Sequence, residues 1–155
     1  MTVYLVRHAV ARKRSSWAGP DAARPLNRRG ERQARELKHA LGDRPITRVL
    51  SSPTVRCVDT VAPLANHLGL PVDHHPALVE GAATAATVDL IGSSADSTGD
   101  VALCTHGDII PPVLEALSRQ GADLDGSDKT AKGSTWILEV KKGKVVRGRY
   151  LDPPG

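Results

Sequence analysis

Thr2-Val3-Tyr4-Leu5-Val6, followed at once by Arg7-His8-Ala9, is the stretch on which the fold turns. The first five residues are short, mostly apolar and rich in β-branched and aromatic side chains. That is the pattern of a buried strand in a parallel sheet. Arg7 and His8 then fall at the strand's carboxyl end, where open α/β sheets bind their ligands. A permanent cation beside an imidazole suits an anionic substrate, because the imidazole can act as nucleophile or acid/base near neutral pH. Taken alone, the dipeptide is equally compatible with a strand end that faces solvent.

The chain has 155 residues, 40% hydrophobic and 25% charged, the balance of an ordinary globular domain. Phe is absent, so the core must be built from Leu, Val, Ile and Ala. No apolar run approaches the ~18 residues that span a bilayer, and the N-terminus passes straight into a strand. No membrane partner is therefore expected. Cys57 and Cys104, the only cysteines, form no disulfide framework and suit a reducing cytoplasm. The net charge of +4 admits nucleic acid, but the basic residues are dispersed and no nucleic-acid motif accompanies them. A small anionic substrate explains the charge as well.

Outward from the first strand, a polar loop over 9–26 carries Arg12-Lys13-Arg14, Trp17, Asp21 and Arg24. Loops of that length in compact domains are usually functional or mobile. Asn27 reads as the N-cap of a helix reaching Leu41, with Ala34, Leu37 and Leu41 in helical spacing. A strand over 47–51 follows. Ser52 then reads as an N-cap and Pro53 as the first residue of a helix that runs to Leu68. Residues 72–75 are extended. The stretch 77–100 shows little pattern beyond a short helix over 87–91. Val101 to Cys104 is a strand, 109–120 a helix, 121–133 a polar loop, and 135–140 with 145–151 a hairpin.

Strand ends thus carry Arg7 and His8, Arg56 by way of the following helix, and His106. In an α/β sheet such ends lie side by side, so residues far apart in sequence can share one pocket. Two guanidiniums can clamp non-bridging phosphoryl oxygens. An imidazole between them can attack phosphorus in line.

Five blocks in order, Leu5-Val6-Arg7-His8, Leu26-x-x-x-Gly30-x-x-Gln33-Ala34, Ser51-Ser52-Pro53-x-x-Arg56-Cys57-x-x-Thr60, Leu78-x-Glu80 and Thr105-His106-Gly107, resemble the histidine phosphatase (phosphoglycerate mutase-like) superfamily. The short chain, without an inserted lid, looks like the small branch typified by the phosphohistidine phosphatase SixA. The segments Arg14-x-x-Trp17-x-x-Pro20-Asp21-x-x-Arg24-Pro25-Leu26 and Lys132-Gly133-Ser134-x-Trp136 also resemble the phosphatase-like domain fused to some actinobacterial Nudix hydrolases. No Nudix box is present.

The resemblance implies a three-layer α/β/α sandwich, here one domain over 1–155, with a mostly parallel sheet and a C-terminal hairpin. It implies His8 as nucleophile and Arg7, Arg56 and His106 as the phosphoryl-binding groups, with Gly107 beside them. Glu80 would exchange the proton with the leaving group, with Asp108 in reserve. It implies no cofactor and no metal. Ala9 replaces the family's usual glycine and adds a methyl near the phosphate. Arg12, Lys13, Arg14 and Arg24 either grip more of an anionic substrate or form a solvated basic loop. Trp17 either stacks on the substrate or packs the loop. The first expectation for the substrate is phosphohistidine on a protein, reached through an open site. The second is a small phosphorylated metabolite or nucleotide, and a non-catalytic phosphate-binding module is the alternative from another class.

Overall fold

The computed structural model describes residues Met1 to Pro154. In chain order the elements are β1 (Thr2–Arg7), α1 (Arg28–Leu41), β2 (Ile46–Ser51), α2 (Val55–Leu68), β3 (Val72–His74), α3 (Thr84–Ser93), β4 (Asp100–Thr105), α4 (Ile110–Arg119), β5 (Asp123–Leu124), β6 (Thr135–Lys141) and β7 (Lys144–Leu151). They form one sheet in the order β3-β2-β4-β1-β6-β7-β5. β1 to β4 are mutually parallel, β6 runs antiparallel to β1, and β7 returns as its hairpin partner. No helix is long and apolar enough to cross a membrane among the described residues.

The period of a strand explains the three layers. On β1, Val3 and Leu5 face one side and pack with α3 and α4 residues such as Ile91, Ile110 and Val113. Tyr4 and Val6 face the other side and pack with Leu37 and Leu41 of α1 and Val61 and Leu64 of α2. Successive side chains of a strand point to opposite faces, so a sheet buried on both faces needs an unbroken apolar run. β4 meets the same demand, and all six of its residues are buried.

α1 starts as its sequence dictates: the Asn27 side chain accepts from the Gly30 amide at 2.9 Å. α2 starts later than expected. Its N-cap is Thr54 and its first helical residue Val55, whereas Ser52 and Pro53 remain outside. The reason is the sheet. The Ser52 amide donates to Cys104 O at 3.0 Å, which extends the β2–β4 pairing past the strand, and its hydroxyl bonds to His106 instead of capping. Two further differences lie in the poorly patterned regions. The helix expected over 87–91 extends over Thr84–Ser93, and the loop 121–133 contributes the two-residue strand β5 beside β7. The β6–β7 turn has positive φ at both Lys142 (53°) and Gly143 (76°), the paired left-handed conformation that closes a tight hairpin.

Candidate active site

The carboxyl ends of β1, β2 and β4 converge on a cleft of about 550 Å³. His8, at the end of β1, is 7% exposed. Its main chain is held from two sides: the His8 amide donates to Thr105 O at 3.0 Å, and the Gly133 amide donates to Arg7 O and His8 O. Its ring sits 2.8 Å from Ala9 O through Nδ1. A carbonyl can only accept, so Nδ1 carries the proton and Nε2 keeps its lone pair. Burial pushes the His8 pKa down from its ordinary value to about 4, against the opposing pull of the Ala9 bond. The ring is therefore a neutral base with one free nitrogen.

His106 meets His8 edge to face, with ring centroids 5.5 Å apart. It is 1% exposed. Its Nε2 lies 2.8 Å from Ser52 Oγ, and Cys57 Sγ packs 3.5 Å from the same nitrogen. Those contacts fix the ring plane and leave the Nδ1 edge toward Glu80, 4.0 Å from Oε1.

The two arginines are held differently. Arg7 donates through Nη1 to Thr130 O at 2.6 Å. Its guanidinium also lies against Gly107. A Cβ on that glycine would stand 2.6 Å from Arg7 Cζ and Nη2, so only glycine lets the arginine lie across the turn after β4. Arg56, in the first turn of α2, is 1% exposed. It spends Nη1 on Asp21 O (3.0 Å) and Nη2 on Asp21 Oδ2 (3.1 Å). Its Nε is buried with no partner, as is the Nε of Arg7. Both arginines line the cleft, and an unpaired buried donor is costly in isolation and suited to an anion.

Glu80 reaches the same space from the segment before α3. Its Oε1 lies 3.6 Å from Arg56 Nη2 and 3.6 Å from Arg14 Nη2. The segment is anchored where Thr105 Oγ1 donates to Leu78 O at 2.7 Å, which ties it to the end of β4. Asp108 also lines the cleft but uses one oxygen to accept from the Gly81 amide at 2.9 Å, bracing the Glu80 turn.

Of the loop residues, Arg14 and Arg24 line the cleft together with Arg12, Lys13 and, from the loop before β6, Lys132. Arg24 is 8% exposed and is bound within the loop, Nε to Asp21 Oδ1 at 3.0 Å and Nη1 to Arg12 O at 2.6 Å. Trp17 lies outside the cleft lining. Its indole packs over Gly19 and donates to Pro20 O at 2.9 Å, so it holds the loop rather than facing a ligand. The Ala9 methyl is likewise not at the cleft: it packs with Leu26 and Ala34, while the Ala9 amide bonds to Thr60 Oγ1 at 2.9 Å.

The sequence blocks contain Asp21, Ser52 and Gln33 but assign no role to their side chains, and the Ser52 amide donates to Cys104 O rather than toward an anion. Gln33 accepts from the Val10 amide at 3.0 Å and pins the chain just past His8. One signal was available for Asp21. It is the only acidic residue in the loop 9–26, among Arg12, Lys13, Arg14 and Arg24.

A family model described as the histidine phosphatase superfamily (branch 1) matches residues 3–88. The 8-oxo-(d)GTP phosphatase of Mycolicibacterium smegmatis is 35% identical over 156 aligned residues, covering 99% of this chain. The chain spans only 48% of that protein's length. Among solved structures, the protein histidine phosphatase SixA complexed with tungstate superposes with a TM-score of 0.78 at 20% identity, over 100% of this chain and 97% of that one. A mycobacterial glucosyl-3-phosphoglycerate phosphatase in complex with VO3 gives 0.72 at 18% identity, over 99% of both chains. At these identities the structures establish the shared fold, the α/β sandwich of the phosphoglycerate mutase-like proteins.

Proposed function

This chain belongs to the histidine phosphatase superfamily, and from that premise we propose that it hydrolyses phosphorylated substrates through a covalent phosphohistidine at His8. The observation that carries the reading is the His8 ring. Its Nδ1 proton is committed to Ala9 O, and its free Nε2 lies in a cleft lined by Arg7 and Arg56.

In the first half-reaction His8 Nε2 attacks the phosphorus and the bond to the leaving group breaks. Glu80 delivers the proton that the leaving group takes up. Arg7, Arg56 and His106 bind the equatorial oxygens and stabilise their charge. In the second half-reaction Glu80 accepts a proton from water, and the resulting hydroxide attacks phosphorus. The P–N bond breaks, inorganic phosphate leaves, and neutral His8 is restored. The Nδ1–H bond to Ala9 O supports both halves, because it meets the positive charge that the ring acquires on phosphorylation.

For the substrate, the charge of the cleft favours a small molecule with more than one anionic group. Five arginines and two lysines line it against two carboxylates, Glu80 and Asp108, which is more charge than one phosphoryl group requires. Arg12, Lys13 and Lys132 have no carboxylate partner among the described residues and stand exposed at the mouth. A nucleoside di- or triphosphate fits that distribution, and a nucleotide phosphatase is the relative that shares 35% of its aligned residues. Phosphohistidine on a protein stands second, supported by the exposed rim 12–15, which leaves the cleft open to a macromolecular surface.

The test is hydrolysis of an aryl phosphate with chelator present, comparing the parent with His8→Ala. Turnover that survives chelation and disappears in the variant is expected; turnover unchanged in the variant refutes the nucleophile. Parallel assays with a nucleoside diphosphate and a phosphohistidine peptide then separate the two substrate classes.

A further inference from the structure

We propose that Asp21 is the positioning residue of Arg56, holding one edge of its guanidinium so that the other edge meets the phosphoryl group. This rests on the reading of the cleft as a phosphoryl-transfer site. A guanidinium offers two forks, one between its terminal nitrogens and one between Nε and a terminal nitrogen. Asp21 occupies the first: Nη1 donates to its carbonyl at 3.0 Å and Nη2 to its carboxylate at 3.1 Å. The second fork makes no hydrogen bond to the protein, and Glu80 Oε1 stands 3.6 Å from its Nη2 end. Nε is buried without a partner, and Nη2 keeps one hydrogen.

Asp21 is itself held. Its other carboxylate oxygen accepts from Arg24 Nε at 3.0 Å, and Arg24 is tied to the loop through Arg12 O. Its carbonyl also accepts from the Arg24 amide at 3.1 Å, closing the short turn that presents the residue. The Arg24 bond is the chief cause that holds the Asp21 pKa below its ordinary value, so the group stays a carboxylate. With both oxygens on arginines it has no proton to give, which separates it from the role assigned to Glu80. Arg56 in turn is almost wholly buried, and a buried cation without a counter-charge would be costly. Asp21 supplies that charge in hydrogen-bond contact from the side of the loop, whereas Glu80, on the cleft side, stands farther off at 3.6 Å.

The experiment is a double-mutant cycle with Asp21→Asn and Arg56→Lys, read as kcat/KM on an aryl phosphate and as inhibition by tungstate. Asparagine keeps the shape and the carbonyl but loses the charge. Lysine keeps the charge but has no fork to orient. Asp21→Asn is expected to lower kcat/KM by roughly 10- to 100-fold and to weaken tungstate inhibition, as misplacing a transition-state contact does. In the Arg56→Lys background the same change is expected to cost less than about threefold, because nothing is left to position. An unchanged kcat/KM in Asp21→Asn overturns the proposal, and so does an equal loss in both backgrounds. If Arg56→Lys itself leaves activity intact, the phosphoryl-site reading falls with it. Should Asp21→Asn fold poorly by circular dichroism, Asp21→Glu serves instead. It keeps the charge but moves it by one methylene, and a partial loss that again vanishes beside Arg56→Lys is expected.

Discussion

The floor of the cleft and its rim reach the same ligand space by different means. His8 and His106 stand at strand ends, with the main chain around His8 hydrogen-bonded to two neighbouring segments. Arg56 stands in the first turn of α2, and both it and His106 are 1% exposed. Arg12, Lys13, Arg14 and Lys132 stand on loops and are exposed. Arg14, 70% exposed, meets Asp21 and Glu80 only at 3.6–3.7 Å. The floor is organised by the packing of the sheet and so can fix a reacting atom. The rim is organised by charge, which supplies attraction with little geometric precision. Chemistry is therefore expected to depend on the floor and substrate preference on the rim.

The largest effect should follow from removing His8, the nucleophile we propose. His8→Ala is expected to lower kcat by at least about a thousandfold on every substrate while leaving the rim's affinity for polyanions intact. Steady-state kinetics together with equilibrium binding of a nucleoside diphosphate would show the two separating. Loss of both together would mean that floor and rim are not independent.

Gly107→Ala probes the floor without touching a reacting group. The added Cβ would fall 2.6 Å from the Arg7 guanidinium, so the arginine must move. An activity loss of roughly 10- to 100-fold with an unchanged circular dichroism spectrum is expected. Parental activity would show that Arg7 needs no fixed position.

The rim is tested by Lys13→Ala combined with Lys132→Ala. About a tenfold loss of kcat/KM is expected on a nucleoside diphosphate, with little change on an aryl phosphate, and the parent's preference for the diphosphate should fade as salt rises. An equal loss on both substrates would place these lysines in the chemistry instead.

The smallest effect concerns protonation. The folded His8 pKa, about 4, lies below the unfolded value near 6.5. Above that unfolded value both states are neutral and the stability is complete. As pH falls toward 4 the unfolded chain takes up the proton first, and stability is lost, by roughly 3 kcal/mol at most. Magnetic resonance of the His8 ring should show it neutral at pH 6 in the folded protein. A midpoint near 6.5 would mean that burial does not govern this group.

Much of the floor was legible in the sequence because a short apolar run ending in a polar residue specifies both a strand and the edge where its end lies. That pattern puts Arg7, His8 and His106 at one edge of the sheet; Arg56 joins them by way of the following helix, and the roles of all four rest on the resemblance to the family. Asp21 was harder to find, since a loop has no period to say which residue turns inward. Its sole carboxylate among four cations was the available clue. Ser52 was misread for a different reason. A hydroxyl before a proline is a good cap in isolation, but here the sheet continues past β2 and His106 takes the hydroxyl. α3 was half seen because it buries only Thr87, Leu90 and Ile91 and no side chain caps its start. β5, two residues long, has too few positions to show alternation.

The most direct test of the account is to trap the intermediate. The protein would be mixed with a ³²P-labelled substrate, quenched in alkali, digested and mapped. Label that is stable in base, labile in acid and confined to the peptide containing His8 is expected, with none in His8→Ala. Turnover without label in the parent, or label on any other residue, would contradict it.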